Sequence, residues 1–377
     1  MSRIDVMRPF LGAEEIAAVT ATLESGWLAQ GPKVAEFEAA FAARMEAARA
    51  VAVSSCTTAL HLALVVAGIG AGDDVVVPSL SFVATANAVR YVGARPVFAD
   101  VDRLTGNVTA DGVKRVLTPR TRAVIAVDQG GVPVDLTGIR AVCDPLDVVV
   151  IEDAACGAGS THRGRPVGAA ADIAAWSFHP RKILTTGEGG MITTANGEWA
   201  DRARALREHG TSRSAADRHR VTLPAAESYT EVAWNYRMTD LQAAVGVAQL
   251  GRLDDIVARR RELAQRYRDA LDGVAGLRCV ADPDDGTSNA QSFWVEVSET
   301  AARSRDGYLE ALAAEHVSAR RGIMAIHRQP AYAGSDAVIG DLAVTEHLTD
   351  STLILPLFHT MTEEQFERVV RTLLATS

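Results

Sequence analysis

The chain has 377 residues, of which 48% are hydrophobic and 23% charged, and its formal net charge is −9. This length predicts two or three domains, or one large α/β unit with a smaller partner. The acidic balance and scattered arginines argue against nucleic-acid binding, and no stretch approaches the ~18 apolar residues that a membrane span needs. Four cysteines without paired or metal-like spacing predict neither disulfides nor a metal site. With no leader-like segment at its start, the protein is expected to be cytoplasmic.

The predicted elements begin with two helices between Gly12 and Met45, where apolar residues recur at helical spacing around the loop SGWLAQGPK. Seven short β-branched runs follow, each typical of a strand buried on both faces. They lie at 50–55, 74–78, 95–102, 122–128, 147–153, 172–178 and 190–194. Helical segments between several of them end at glycine. This alternation predicts an α/β fold with a mainly parallel sheet of seven strands.

From Met238 the sequence becomes strongly helical, over a length that could bridge two domains. Its basic run, ARRRELAQRYR, is predicted to be the solvated face of an amphipathic helix. A short strand near QSFWVEV, a helix DGYLEALAAEH and a final helix TEEQFERVVRTLLA follow. We therefore predict a large domain over 1–245, which includes the N-terminal helices, and a smaller α+β domain over 246–377.

Residues that directly follow strands are the first candidates for a site, because ligands of parallel sheets bind beyond the carboxyl ends of the strands. The turn SSCTTA after the first run opens a helix whose free amides suit a phosphate, although an ordinary helix cap would look the same. Asp153 ends the fifth run. Its carboxylate could cap the next helix, or it could hold a proton on a heterocyclic nitrogen.

Lys182 is one of three lysines in the chain, and it lies between an apolar run and the turn TTGEGG. Lysines in such places usually extend to solvent. An amine beside apolar walls can instead lose its proton and attack a carbonyl. The segment WNYRM forms a further polar turn, or simply the N-terminus of the helix after it. Together the phosphate turn, the acid, the lysine and the glycine turn match the needs of pyridoxal phosphate (PLP).

These motifs, taken in order, make the sequence resemble the DegT/DnrJ/EryC1/StrS aminotransferases, the sugar-aminotransferase branch of the fold type I PLP enzymes. The similarity runs nearly end to end and includes SSCTTALHLAL, IEDAACGAGSTHRGRPVG, WSFHPRKILTTGEGGMITT and NYRMTDLQAAVGVAQL. The resemblance implies that Lys182 forms an imine with the cofactor and then moves a proton between cofactor and substrate. It also implies that Asp153 keeps the ring nitrogen protonated. A dehydratase branch has histidine in place of this lysine, so Lys182 favours a transaminase.

The remaining cofactor contacts are also implied by the resemblance. Phe82 would stack on the ring. The phosphate would be held by Ser177 and by backbone groups of Thr57 and Thr58. Asn235 would reach the same phosphate from the neighbouring subunit, which requires a homodimer.

Two cysteines depart from the family pattern. Cys156, which would touch the ring oxygen, stands where many relatives have Gln or His, and Cys56 stands where a small residue is usual in the phosphate turn. A thiol is a weaker hydrogen-bonding group than an amide. We therefore expect altered tuning of the cofactor rather than lost activity.

The reaction that the resemblance implies is transfer of an amino group from L-glutamate to a keto-6-deoxy sugar nucleotide, for deoxyaminosugar biosynthesis. A dTDP-4-keto-6-deoxyhexose is favoured because GRPVG and HPRKILTTGEGG resemble perosamine-type relatives; amination at C-3 is the alternative. The sugar is expected between Trp27, Gln129, His327 and Tyr332. Two other classes stay open. One is a nicotinamide-dependent oxidoreductase, whose G-x-G-x-x-G turn is absent from SSCTTA, and the other is a non-catalytic relative that only binds cofactor or sugar.

Overall fold

The computed structural model describes residues 2–212, 227–337 and 340–375. Its strands, numbered along the chain, are β1 Arg49–Val53, β2 Asp74–Pro78, β3 Arg95–Ala99, β4 Thr121–Val127, β5 Val149–Asp153, β6 Thr161–His162, β7 Arg165–Pro166, β8 Ile173–Ser177, β9 Gly190–Thr194, β10 Leu277–Cys279, β11 Gly286–Thr287, β12 Phe293–Val297, β13 Arg320–Arg321 and β14 Thr352–Leu355. Its α-helices are α1 Ala13–Ser25, α2 Pro32–Arg44, α3 Cys56–Val66, α4 Ala84–Tyr91, α5 Ala110–Val116, α6 Leu136–Cys143, α7 Gly197–Leu206, α8 Asp240–Gly251, α9 Leu253–Leu271, α10 Arg305–Ala314, α11 Ala343–Ser351 and α12 Glu363–Leu374.

The main sheet confirms the prediction of a mainly parallel seven-stranded sheet with helices around it. Its strand order is β1-β9-β8-β5-β4-β2-β3, and β9 is the strand that runs against both of its neighbours. Each of the seven predicted runs overlaps one strand of this sheet. Alternate residues of a strand point to opposite faces, and both faces are covered. Val75 and Val77 pack into the core on one side, whereas Val76 packs on the other, and all three are fully buried.

A second, antiparallel sheet with the order β10-β12-β14-β13 forms the core of the C-terminal part, together with α9, α10 and α12. The N-terminal residues join it, since Ile4 pairs with Val317 and the amide of Leu357 donates to the Val6 carbonyl. The chain before α1 therefore packs with the second core, although the sequence assigned it to the large domain. The predicted limit at 245/246 falls inside α8, which packs mainly on α1 and α2.

The helical stretch after Met238 differs from its prediction in two ways. It breaks at Arg252, between α8 and α9, and α9 alone spans the distance: its Ile256 packs in the core against the main sheet, and its Tyr267 packs in the second core. The basic run is also not simply a solvated face, because Arg260 is only 1% exposed. Its guanidinium donates to the carbonyls of Ala290 and Gln291 at 3.0 and 2.7 Å. Burial lowers the pKa of Arg260 to about 9, and these carbonyls compensate part of its desolvation.

An ion cluster joins the loop after β3 to the second sheet. Glu296 on β12 is 2% exposed, and its carboxylate accepts from Arg278 Nε at 2.8 Å, His347 Nε2 at 2.8 Å and Arg103 Nε at 3.1 Å. Burial alone would raise the pKa of Glu296, but these donors outweigh it and lower the pKa to about 2. The cluster fixes the second core against the main sheet, and so helps to fix the cavity described below.

Across the described ranges, no helix is both long and apolar enough to cross a membrane. The same residues contain no cluster of His, Cys, Asp or Glu that could hold a metal ion.

Candidate active site

A cavity of about 450 Å³ opens where the carboxyl ends of β5 and β8 face the start of α3. Register places Asp153 between Val127 of β4 and Ala175 of β8, with Ser177 two residues beyond. The volume lies in the range of ordinary small-molecule sites. Its walls combine apolar and polar side chains: Ser55, Cys56, Thr57, Leu60, Phe82, Ala84, Thr85, Asp153, Ala155, Ser177, His179, Arg181, Lys182 and Glu188.

Asp153 is the buried acid of this cavity, with 5% of its surface exposed. One carboxylate oxygen accepts from the Thr85 hydroxyl at 2.8 Å, and the other accepts from the Ala155 amide at 3.3 Å. Burial raises the pKa of Asp153, while these donors and the positive charge of Lys182 partly oppose the rise. A protonated ring nitrogen beside Asp153 would favour its carboxylate form. The site therefore fits a cationic heterocycle, and the pairing of Asp153 with a ring nitrogen stays a prediction.

The preceding residue, Glu152, points to the other face of the sheet and does not line the cavity. It is 1% exposed, and its carboxylate accepts from the Gly168 amide at 2.8 Å. Burial raises the pKa of Glu152 to about 8. Of the two adjacent acids, Asp153 is therefore the one that a ligand in this cavity could contact.

Lys182 lies in the loop that connects β8 to β9, and hydrogen bonds join the two ends of this loop. The Phe178 amide donates to the Gly189 carbonyl at 2.9 Å, and the Thr186 amide donates to the Phe178 carbonyl at 2.9 Å. The last glycine of the turn, Gly190 at the start of β9, is required by a close contact. A Cβ at this position would lie 2.4 Å from backbone atoms of Ser55. The close approach of these two backbones places the lysine loop beside the start of α3.

The side chain of Lys182 points into the cavity, and its Nζ lies 3.2 Å from the Cys156 sulfur. Burial lowers the pKa of Lys182, but the sulfurs of Cys156 and Cys56 and the carboxylate of Asp153 outweigh burial and raise it. The groups around Lys182 therefore oppose the effect of burial, and the loss of its proton on reaction with a carbonyl stays a prediction.

The start of α3 forms the predicted phosphate turn. The Ser55 hydroxyl caps the helix by accepting from the Thr58 amide at 3.2 Å, and the Thr58 hydroxyl donates to the Ser55 carbonyl at 2.7 Å. Both groups of Thr58 are therefore used within the turn, and its predicted backbone contact to phosphate lacks a free amide. In the described part of the chain, the amides of Cys56 and Thr57 have no partner. These two amides and the positive end of the helix suit a phosphate, with Ser177 across the cavity.

Two further residues predicted for the cofactor lie near the surface. Phe82 lines the cavity and is 64% exposed, which leaves one ring face open to a planar ligand. Asn235 is exposed and lies outside the cavity of its own chain, where it forms a bridge with Glu208. A contact from Asn235 to the phosphate within the same chain is therefore not formed. Its predicted role, delivered from a neighbouring subunit, stays a prediction.

The four residues predicted for the sugar lie outside the cavity, and their side chains are engaged elsewhere. Gln129 Nε2 donates to the Leu80 carbonyl. His327 is held by Ser79 at 2.7 Å and by Glu346 at 3.1 Å, and the Tyr332 hydroxyl donates to Asn87 at 2.7 Å. Trp27 Nε1 donates to the Gln30 carbonyl of its own loop at 3.2 Å. Within one chain these side chains stabilise the fold, and their role in binding the sugar stays a prediction.

Sequence reasoning missed two residues that position the site. Thr85 donates to Asp153, as described above, and nothing in SFVATANAV distinguishes it from an ordinary helix residue. Asn289, which is fully buried, comes from the loop before β12. Its Nδ2 donates to the Cys156 carbonyl at 2.6 Å and to the Ala158 carbonyl at 2.8 Å. The second core thus fixes the backbone that carries Cys156.

Comparison with known proteins identifies the family of this chain. The sequence profile of the DegT/DnrJ/EryC1/StrS aminotransferase family matches residues 9–374. The spore coat polysaccharide biosynthesis protein SpsC of Bacillus subtilis (strain 168) is 40% identical over 368 residues, which is 96% of this chain and 94% of SpsC.

Among solved structures, the aminotransferase TlmJ from Streptoalloteichus hindustanus is 38% identical, with a TM-score of 0.91 over 99% of this chain and 98% of TlmJ. DesI, solved in the presence of its TDP-sugar product, is 31% identical, with a TM-score of 0.89 over 100% of this chain and 93% of DesI. Members of this family depend on PLP, and the cavity has an acid, an amine and a phosphate turn that fit it. The chain therefore belongs to the DegT/DnrJ/EryC1/StrS family and is a PLP-dependent sugar aminotransferase.

Proposed function

We propose that this enzyme moves an amino group from L-glutamate to C-4 of a keto-6-deoxy sugar nucleotide, and that this substrate is a dTDP-4-keto-6-deoxyhexose. The observation that carries the proposal is that the Lys182 amine and the Asp153 carboxylate line one cavity beside the two free amides of α3. DesI, a structural neighbour, has a TDP-linked sugar as its product, which supports a nucleotide-linked substrate. Preference for C-4 rests on the motifs GRPVG and HPRKILTTGEGG.

Bound PLP supplies an aldehyde and a ring that withdraws electrons from the reacting carbon. The groups of the protein itself would bind the cofactor and move the proton. The Cys56 and Thr57 amides would hold the phosphate, with Ser177 opposite, and Asp153 would keep a proton on the ring nitrogen. Lys182 would accept a proton from the donor carbon at its Nζ and return it to the former aldehyde carbon of the cofactor. Because Lys182 follows a closed turn, its amine is already positioned for both steps.

We further propose that the enzyme works as a homodimer in which Asn235 completes the neighbouring site. Asn235 is exposed and lies outside its own cavity. Nearby Val232 is 96% exposed, and Phe82 and Tyr91 are 64% and 57% exposed. Large apolar side chains left in solvent are typical of a surface that another subunit covers. The four cysteines are unpaired, which is compatible with a reducing cytoplasm.

Two half-reactions test the proposed function separately. Purified enzyme loaded with PLP is mixed with L-glutamate, and the absorbance band of the aldehyde form should be replaced by that of the amine form. The amine form is then given a panel of keto sugar nucleotides that differ in base and in keto position. A dTDP-4-keto-6-deoxyhexose should restore the first band and yield an amino sugar. Restoration by 3-keto sugars alone would assign C-3 instead, and no response to glutamate would favour a non-catalytic relative.

A further inference from the structure

A second, much smaller cavity lies between the N-terminal segment 7–10 and α9, and it shares Lys182 with the main cavity. Its volume is about 10 Å³, which is room for one water molecule or a single-atom ion. Its walls include Arg8, Arg260 and His359, and no acidic residue is among the described residues that line it. The side chains around this space therefore carry positive charge without a facing negative one.

Arg260 brings a buried cation to this cavity without a counter-charge. It is 1% exposed, and its side chain donates from Nε to the Ala290 carbonyl, from Nη2 to the Gln291 carbonyl and from Nη1 to the Met7 sulfur at 3.3 Å. All three acceptors are neutral, and they use three of the five N–H groups of the guanidinium. Burial lowers the pKa of Arg260, and no carboxylate among the described residues opposes this effect. Because a buried charge without an ionic partner is costly, the surroundings of Arg260 favour an anion beside it.

His359 lines the same cavity and also has an unused polar atom. Its Nδ1 is buried and has no hydrogen-bond partner among the described residues, while its ring stacks on Phe10 with the centroids 4.1 Å apart. Burial lowers the pKa of His359, and nearby positive charges lower it further against the opposing effect of one acid, Asp255. These positive charges belong to Arg259, Arg260 and Arg252. The potential around His359 is therefore positive.

An anion suits this cavity better than a water molecule does. A guanidinium can only donate hydrogen bonds, and a water molecule that accepts from it must also find acceptors for its own two protons. A halide ion accepts from several donors, donates nothing and supplies the negative charge that Arg260 lacks. The volume of about 10 Å³ also excludes larger anions such as a phosphate or the carboxylate of an amino acid.

We propose that this cavity is a halide site, at which one chloride ion binds between the Arg260 guanidinium and the ring of His359, with Arg8 beside it. The N-terminal segment, α9 and the loop before β12 meet at this point. A bound chloride would therefore stabilise the junction of these three elements. The site uses neither cofactor nor substrate, so it does not rest on the proposed function.

The test measures the Tm of the PLP-loaded protein while sodium chloride replaces sodium gluconate at constant ionic strength, which keeps general screening unchanged. A ligand that binds only the folded state raises Tm by mass action. Tm should therefore rise by about 1–3 °C and level off as chloride fills the site, and bromide should act in the same way. A Tm that does not rise, or one that changes in proportion to chloride without levelling off, would overturn the proposal.

Two neighbouring arginines provide a matched pair of variants. Arg260→Gln removes the buried cation and should abolish the saturable rise in Tm. Arg261→Gln should keep it, because Arg261 lies outside this cavity and donates to the Ser288 carbonyl at 2.6 Å. If Arg260→Gln does not fold, His359→Phe takes its place, since it keeps a ring against Phe10 and removes the ring nitrogens, and it should weaken the response to chloride. A full response in the variant that decides would contradict the assignment.

Bromide also locates the ion directly. Anomalous scattering from crystals of the PLP-loaded protein grown with sodium bromide should give a peak inside this cavity, in contact with the Arg260 guanidinium. A cavity without such a peak would refute the site, even if Tm responds to chloride. None of these measurements depends on turnover, so failure of the halide site and failure of the proposed function are distinguishable.

Discussion

The hydroxyl of Thr85 offers a direct way to perturb the acid of the site without replacing Asp153 itself. It donates to Asp153 at 2.8 Å, and both residues are at most 5% exposed. A hydrogen bond to a charged acceptor contributes about 1.5–3 kcal/mol, which corresponds to roughly 1–2 pKa units. Thr85→Val keeps the shape and removes the donor. Burial, which already raises the pKa of Asp153, would then be less opposed, and this pKa should rise further.

Because the reaction needs Asp153 as a carboxylate, activity is lost when pH falls through its pKa. In Thr85→Val the acidic limb of the kcat/KM profile should therefore move up by about 1–2 pH units, while activity at higher pH is retained. Thr352→Val is the matched control, since its buried hydroxyl donates to the Leu348 carbonyl at 2.6 Å in the second core. An acidic limb that stays in place, or one that Thr352→Val moves equally, would refute the role assigned to Thr85.

Three further predictions follow from other contacts. Lys182→Ala and Asn235→Ala should each be nearly inactive. A one-to-one mixture of the two variants, refolded together, should regain about a quarter of wild-type activity, because half of the dimers contain one of each chain and such a dimer has one intact site of two. A mixture that stays inactive would contradict the sharing of sites between subunits. Glu296→Gln should lower the free energy of unfolding by about 1–3 kcal/mol at neutral pH. Since the pKa of Glu296 is lowered to about 2, this loss should shrink as pH falls from 4.5 toward 2 in urea titrations, and a constant loss would count against it. The pKa of Glu152 is raised to about 8, so wild type should lose more stability than Glu152→Gln between pH 4.5 and 8; a Tm difference independent of pH would oppose this assignment.

The main sheet could be predicted from the sequence because each buried strand forms a β-branched run bounded by turn residues. Asp153 and Ser177 followed from their places at strand ends, and Lys182 stood out because lysine is so rare in this chain. These are local signals. The spacing of the apolar residues, the length of each run and the glycine or proline residues that end it are enough to recognise these signals.

Features that depend on distant contacts could not be predicted in this way. The helix break at Arg252 has no proline to mark it, and Arg260 looked like a surface residue because its carbonyl partners lie 30 residues further along the chain. Gln129 and His327 were assigned to a sugar site from the family resemblance, and that role stays a prediction. Gln129 is bonded to Leu80 and His327 to Ser79, and both partners are distant in sequence. These hydrogen bonds can therefore be seen only in the folded structure.

The central claim is that Lys182 is the amine that binds PLP. Borohydride reduction of the PLP-loaded protein, followed by digestion and mass spectrometry, fixes the cofactor to whichever lysine carries it. The chain has only Lys33, Lys114 and Lys182, so the assignment is unambiguous. The reduced pyridoxyl group should be found on the peptide that contains Lys182. Its recovery on Lys33 or Lys114, or on no lysine while the enzyme is fully active, would contradict the mechanism.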